Sequence, residues 1–291
     1  MFEPSYALAV FFATSCGVTI SFAQASIAVK PATIWYSEQF EIHSKSAGRD
    51  YLIQVAKPVK PQSEKLPAIY LLDGNPLFGE AASMMTGYGY FGDTTPAYVV
   101  AIGYPTEHFD QWLSLRNHDL VHVRLPDDVK VAAGSGGGAQ FEKFLRDELR
   151  PLIESRYPID PQRTVLAGHS FGGLFALHVL LNNPDAFRDY LICSPAVWAE
   201  PQLLQKASSF HTTTPRHIFI GVGSKEEEQF GEGLRMVKNA QELADRLKDH
   251  VSGTEVSFTD FEGQTHGTVI AGCLSQGLQI MLPTPPIPTD H

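Results

Sequence analysis

A succession of short apolar runs, each stopped by a turn, limits what this chain can fold into. LPAIYLLDG (66–74), YVVAIGYP (98–105), RTVLAGHS (163–170), YLICSP (190–195), RHIFIGVGS (216–224) and EVSFTDFEG (255–263) have the length of strands and are too short for buried helices. Runs that stay apolar on both faces belong to strands covered on both sides, as in a parallel sheet. Helical patterns between them cover 139–156, 171–182 and 232–249; the first has Phe141, Phe144, Leu145, Leu149, Leu152 and Ile153 at helical spacing. Upstream, TIWYSEQFEIHS (33–44) and RDYLIQVAKPV (49–59) alternate apolar and polar residues and read as antiparallel strands. The order predicts an α/β fold, a mostly parallel central sheet flanked by crossover helices. Such sheets bind ligands at the carboxyl ends of their strands, so the residue that ends each run is a candidate for function.

Gly168-His169-Ser170-Phe171-Gly172 carries the clearest chemistry. It follows the apolar TVLA and precedes LFALHVLL, which is the strand–turn–helix setting of a nucleophile elbow. The glycines let strand and helix approach closely, and the turn exposes the Ser170 hydroxyl above the sheet. A hydroxyl is a weak nucleophile and needs a base, itself oriented by an acid, in the chain order Ser, acid, His. His266 lies in FEGQTHG, directly after the last apolar run, where that base belongs. The loop after RHIFIGVGS supplies Glu226 as acid, with Glu227, Glu228 and Asp260 as further candidates and a Ser–His dyad as the alternative. The oxyanion hole needs two backbone donors. Phe171 supplies one, and Gly74 or Asn75, at the end of LPAIYLLDG, the other. Arg116 follows the Tyr104-Pro105 strand end and would point a cation into the cleft, or pair with Asp119. Trp198, after YLICSP, would wall the pocket or pack in the core, and Tyr104, Phe109 and Trp112 add aromatic surface.

The net charge of −10, with no concentration of Lys and Arg, argues against nucleic acid or an anionic membrane as partner. Neither a cofactor nor a metal is expected, because no His/Cys/Asp group has ligand spacing. Cys16, Cys193 and Cys273 are too few for a disulfide framework, and Cys193 and Cys273 read as buried apolar side chains. Residues 7–23 are uncharged and apolar, and Ala23-Gln24-Ala25 has the small-x-small form of a cleavage site. Residues 1–25 are therefore expected to be a signal peptide, against the alternatives of a membrane anchor or lipid attachment at Cys16. The mature chain would start at Ser26 and have no stable membrane insertion. Residues 26–282 form a single domain in this reading, and 283–291 a Pro-rich tail.

YLLDGNPLF, VVAIGYP, RNHDL (116–120), GSGGGAQFEKFLRDELRPLIESRYPID, AGHSFGG, SPAVW and FEGQTHG together resemble the putative-esterase family of α/β-hydrolases, over roughly residues 30–280. That family includes esterase D, feruloyl esterases, mycolyltransferases and siderophore esterases. The likeness is greatest to periplasmic and cytoplasmic esterases that cut enterobactin- and salmochelin-type trilactones. It implies an α/β-hydrolase fold and a serine carboxylic-ester hydrolase working through an acyl-enzyme. The implied substrate is a small-molecule ester, such as a ferric catecholate siderophore, met in a bacterial periplasm. The alternative is a general carboxylesterase or thioesterase on small acyl esters. Arg116 and Asp119 match the family's R-x-x-D segment, in which the Arg binds substrate; the Thr-Pro that continues the pattern is replaced here by Val121-His122.

Overall fold

The computed structural model describes residues 32–59, 63–126, 128–250 and 254–284. The expected signal peptide and residues 285–291 of the expected tail lie outside the described residues. Eight strands form one sheet: β1 (Ser37–Ser44), β2 (Arg49–Ala56), β3 (Leu66–Leu71), β4 (Tyr98–Gly103), β5 (Ile159–His169), β6 (Asp189–Cys193), β7 (His217–Gly223) and β8 (Glu255–Phe261). Their order is β1-β2-β4-β3-β5-β6-β7-β8. β1 pairs antiparallel with β2, and β2 antiparallel with β4; every other pairing is parallel. The α-helices are α1 (Gly74–Phe91), α2 (Phe109–Leu120), α3 (Gly138–Phe144), α4 (Arg150–Arg156), α5 (Phe171–Asn182), α6 (Gln202–Ala207), α7 (Glu226–Phe230), α8 (Met236–His250) and α9 (Val269–Met281). The chain thus has the mostly parallel, helix-flanked sheet of an α/β-hydrolase.

Strand alternation divides the core in two. Tyr70, Val100, Ile102, Leu166, Ile192 and Ile220 face one side and pack with residues of α3, α5 and α8. Ile69, Leu71, Val99, Ala167, Leu191 and Phe219 face the other and pack with α1 and α9. Helices on both faces are what the doubly apolar runs require.

The helix expected over 139–156 is interrupted by a π-turn, Leu145–Leu149. The Arg150 N–H bonds back to the Leu145 carbonyl, just ahead of Pro151, which has no N–H to continue the ladder. The pattern over 232–249 begins as a 3₁₀ turn, Glu232–Leu234; Arg235, at φ 51°, then turns the chain into α8.

The reading of Cys193 and Cys273 as free apolar side chains is corrected. Both are buried, but they form a disulfide that ties the end of β6 to α9 across 80 residues. Counting cysteines identifies a framework of several bridges; it is blind to a single bridge between distant elements. Of the expected tail, Pro283 and Thr284 are held down, with the Pro283 carbonyl accepting from Thr95 Oγ1 and Thr284 Oγ1 donating to the Gly92 carbonyl.

Candidate active site

Between β5 and α5 a single residue, Ser170, reverses the chain at φ 61° and ψ −117°. A left-handed conformation of this kind costs a non-glycine residue about 1–3 kcal/mol and persists only where its surroundings enforce it. The Ser170 N–H donates to the Cys193 carbonyl at 3.0 Å, and the Ser170 carbonyl accepts from Leu174 and Ala196. Strand and helix approach so closely that a Cβ on Gly168 would lie 2.3 Å from the Gly172 carbonyl oxygen.

His266 lies on the loop after β8, and its Nδ1 is 2.7 Å from Glu226 Oε2. Glu226 opens α7 and is fully buried. Its other oxygen, Oε1, accepts from Ser194 Oγ at 2.6 Å and from the Gly223 N–H at 2.8 Å. With Nδ1 donating to a buried carboxylate, Nε2 is left as the acceptor nitrogen. The loops meet because Gly223 has no side chain: a Cβ there would lie 2.5 Å from the Gln264 carbonyl oxygen. The Lys225 N–H donates to that same carbonyl.

The other carboxylates face elsewhere. Glu227 pairs with Lys238 at 3.1 Å and accepts from its backbone N–H, Glu228 is exposed, and Asp260 is exposed on β8. His169 lies beside His266, ring centroids 4.3 Å apart, and burial, with His266 and Arg116 as neighbours, holds its imidazole well below the usual histidine range.

Phe171 is the first residue of α5, and Gly74 and Asn75 are the first two of α1. First-turn amides have no acceptor within their own helix and face an anion favourably. The two helix starts are neighbours, with Gly172 packed against Leu72 and Asp73. Asn75 is fixed through its side chain, which donates to the Tyr104 carbonyl and accepts from the Tyr104 N–H, both at 2.8 Å. Only its backbone amide is left for a ligand.

Ser170, His266, Arg116, Phe171 and Trp198 share one cavity of about 160 Å³. Arg116 requires a correction. Its Nε and Nη2 grip Asp73 bidentately at 2.6 and 2.7 Å, and the residue is 6% exposed. Its charge is already met, so it is not a free cation aimed into the cleft. Nor does it pair with Asp119, which accepts from Tyr51 Oη and Arg49. The reason is the left-handed turn at Asp73 (φ 57°), which brings that carboxylate over α2. Trp198 both lines the cavity and packs on the core, its ring 5.7 Å from Phe171. Tyr104 is buried against Tyr51 and is not among the residues lining the cavity. Trp112 packs on the core beside Arg116, and Phe109 is exposed next to it. Sequence reasoning missed Val131, Phe230, Leu234 and Met236 in the lining. Exposed large apolar residues in short segments, as Val131 and Phe230 are, would have been the signal for two of them.

Among the described residues, His122, Glu142 and His178 bring ligand-type atoms within 4.8 Å of one another. The two rings stack face to face, 3.4 Å apart and within 3° of parallel. Two imidazoles on one cation would each direct an in-plane lone pair at it, which this stacking does not allow. The group is a hydrogen-bonded network instead, His122 to Glu142 and His178 to Glu200.

A mostly parallel sheet with a strained serine on the β5–α5 turn and a Glu–His pair, its carboxylate buried, beside the same cavity has the form of an α/β-hydrolase. The chain belongs to the Putative esterase family, whose model matches residues 44–268. It is 34% identical over 267 residues to the ferri-bacillibactin esterase BesA of Bacillus subtilis, covering 86% of this chain and 91% of that protein. It is 27% identical to the apo-salmochelin esterase of Escherichia coli, covering 93% and 90%. Among solved structures it is similar to the siderophore hydrolase EstB from Aspergillus nidulans, with a TM-score of 0.77 and 28% identity over 89% of this chain and 99% of that one.

Proposed function

We propose that the protein hydrolyses the ester bonds of catecholate siderophores through an acyl-enzyme on Ser170. The observation that carries this is the 2.7 Å contact of buried Glu226 with His266, whose imidazole lines the cavity that holds Ser170. Ser170 Oγ attacks the ester carbonyl as its proton passes to His266 Nε2. Glu226 holds the imidazole tautomer and stabilises the imidazolium. The oxyanion is received by the Phe171 amide and by that of Gly74 or Asn75. His266 returns the proton to the leaving alkoxide, and water, activated by the same nitrogen, releases the acid.

The substrate class is supported by relatives named as siderophore esterases and by the aromatic and apolar lining around Ser170, which suits an aryl ring. The cavity holds one acyl arm, with the rest of a trilactone lying over exposed Phe230 and Val131. Its small size also suits a second reading, a carboxylesterase or thioesterase on small acyl esters. Export to a bacterial periplasm is supported by the Cys193–Cys273 bridge, since disulfides persist in oxidising compartments. Among the described residues no helix is long and apolar enough to cross a membrane. In this reading residues 1–25 are removed and 26–282 are the catalytic domain.

Two experiments test the proposal. A fluorophosphonate probe should label the wild type and not Ser170→Ala; equal labelling removes the nucleophile assignment. Turnover of a ferric catecholate trilactone should exceed that of a short p-nitrophenyl ester in kcat/KM, and no trilactone hydrolysis would leave the second reading.

A further inference from the structure

We infer that Ser194 is a positioning residue whose hydroxyl orients the catalytic carboxylate, an inference that rests on Glu226 being the acid of the proposed site. Ser194 is the residue after β6, fully buried, with φ 43°. A glycine would hold that left-handed conformation without strain. The chain instead places a hydroxyl there, and the hydroxyl donates to Glu226 Oε1 at 2.6 Å.

The need for that donor follows from burial. Glu226 is fully buried, and an ionised carboxylate out of water requires hydrogen bonds on both oxygens. Oε2 is engaged by His266 Nδ1. Oε1 has the Gly223 N–H and the Ser194 hydroxyl. Donors from β7 and from the end of β6 hold Oε1 from two directions, which prevents the carboxylate from rotating away from Nδ1. Ser194 is itself fixed, its N–H donating to the Gly221 carbonyl at 2.7 Å. One residue earlier, the Cys193 carbonyl accepts the Ser170 N–H. Two consecutive residues thus set the backbone of the nucleophile and the plane of the acid. Ser194 touches neither substrate nor the reacting atoms, and its effect passes through Glu226 and His266.

The test is a variant series assayed on a p-nitrophenyl ester, with folding checked by circular dichroism. Ser194→Gly keeps the backbone conformation and removes the hydroxyl; it should lower kcat about 10-fold or more with KM within about 2-fold. Ser194→Ala should behave alike, and Ser194→Cys, a weaker donor, should recover part of the loss. In a Glu226→Gln background Ser194→Gly should cost nothing further, because the two residues act as one unit. If Ser194→Gly keeps wild-type kcat while Glu226→Gln loses it, the hydroxyl has no positioning role and the inference falls. If the two losses multiply, Ser194 acts on structure alone and the inference also falls. If Glu226→Gln itself keeps full turnover, it is the acid assignment that fails, and the inference falls with it.

Discussion

Reducing the Cys193–Cys273 bridge should remove a large part of the protein's stability. The bond closes a chain loop of 80 residues that contains β7, α8 and β8. The chain-entropy relation gives about 15 cal/mol/K for a loop of that length, or about 4.5 kcal/mol at 25 °C. For a domain of this size each kcal/mol moves Tm by about 2–4 °C, so the expected loss is roughly 9–18 °C. The comparison is between oxidised wild type and the same protein equilibrated through urea with and without reductant. Both sulfurs are buried in the α1–α9 layer, and this design leaves them in place. Cys193→Ala/Cys273→Ala should lose somewhat more, because two buried sulfurs also go, at roughly the cost of a methylene each. The oxidised form should also show the smaller denaturant slope, since its unfolded chain is the more compact. A difference below about 1 kcal/mol with equal slopes would refute the reasoning, because the crosslink would then not restrict the unfolded chain.

Glu226→Gln should lower kcat on the order of 10³–10⁴-fold, while Glu227→Gln and Glu228→Gln stay near wild type; three equal, mild effects in a steady-state assay would instead mean a Ser–His dyad. Arg116→Ala should reduce turnover of both a catecholate trilactone and a neutral short-chain ester and destabilise the protein by about 3–5 kcal/mol in urea, because it strands buried Asp73; a selective rise in KM for the catecholate ester alone would show instead that Arg116 reads the substrate. Burial holds the His169 imidazole well below the ordinary range and lowers that of His122, so each takes up its proton more readily in the unfolded chain than in the fold. Their contribution is present above about pH 6.5, the unfolded value, and lost as pH falls below it. Tm followed from pH 8 to 5 should fall more steeply in wild type than in His169→Gln; parallel profiles would contradict the assignment for His169.

The parts of this protein written in contiguous residues were legible. Each apolar run became a strand with boundaries shifted by a few residues, and the serine turn stands where GHSFG put it. The acid loop could be located by counting from β7, but only the fold shows Glu226, not Glu227, turned toward His266. α1, with four glycines in GNPLFGEAASMMTGYGYF, has weak intrinsic preference for a helix and forms because Leu77, Phe78, Ala81 and Met85 bury against the sheet. What the sequence concealed were pairings between distant residues: Arg116 with Asp73, Cys193 with Cys273, Ser194 with Glu226. Each depends on strand order rather than on local pattern. An arginine two turns into a helix looks the same whether it meets a ligand or a carboxylate 43 residues upstream.

The end of β6 is stitched on three sides: to Ser170 through the Cys193 carbonyl, to Glu226 through Ser194, and to α9 through the disulfide. The segment after α7, which also lines the cavity, is lighter. Phe230 ends a helix of five residues, Gly231 follows at φ 85°, and Leu234 closes a single 3₁₀ turn. Amide exchange should therefore divide the site, with Ser170 and Gly223 opening only with the whole domain and residues 230–235 opening locally. Replacement of residues 231–235 would then reshape the cavity mouth, whereas Phe230, edge-on to the His266 ring at 5.0 Å, is tied to the same helix as Glu226.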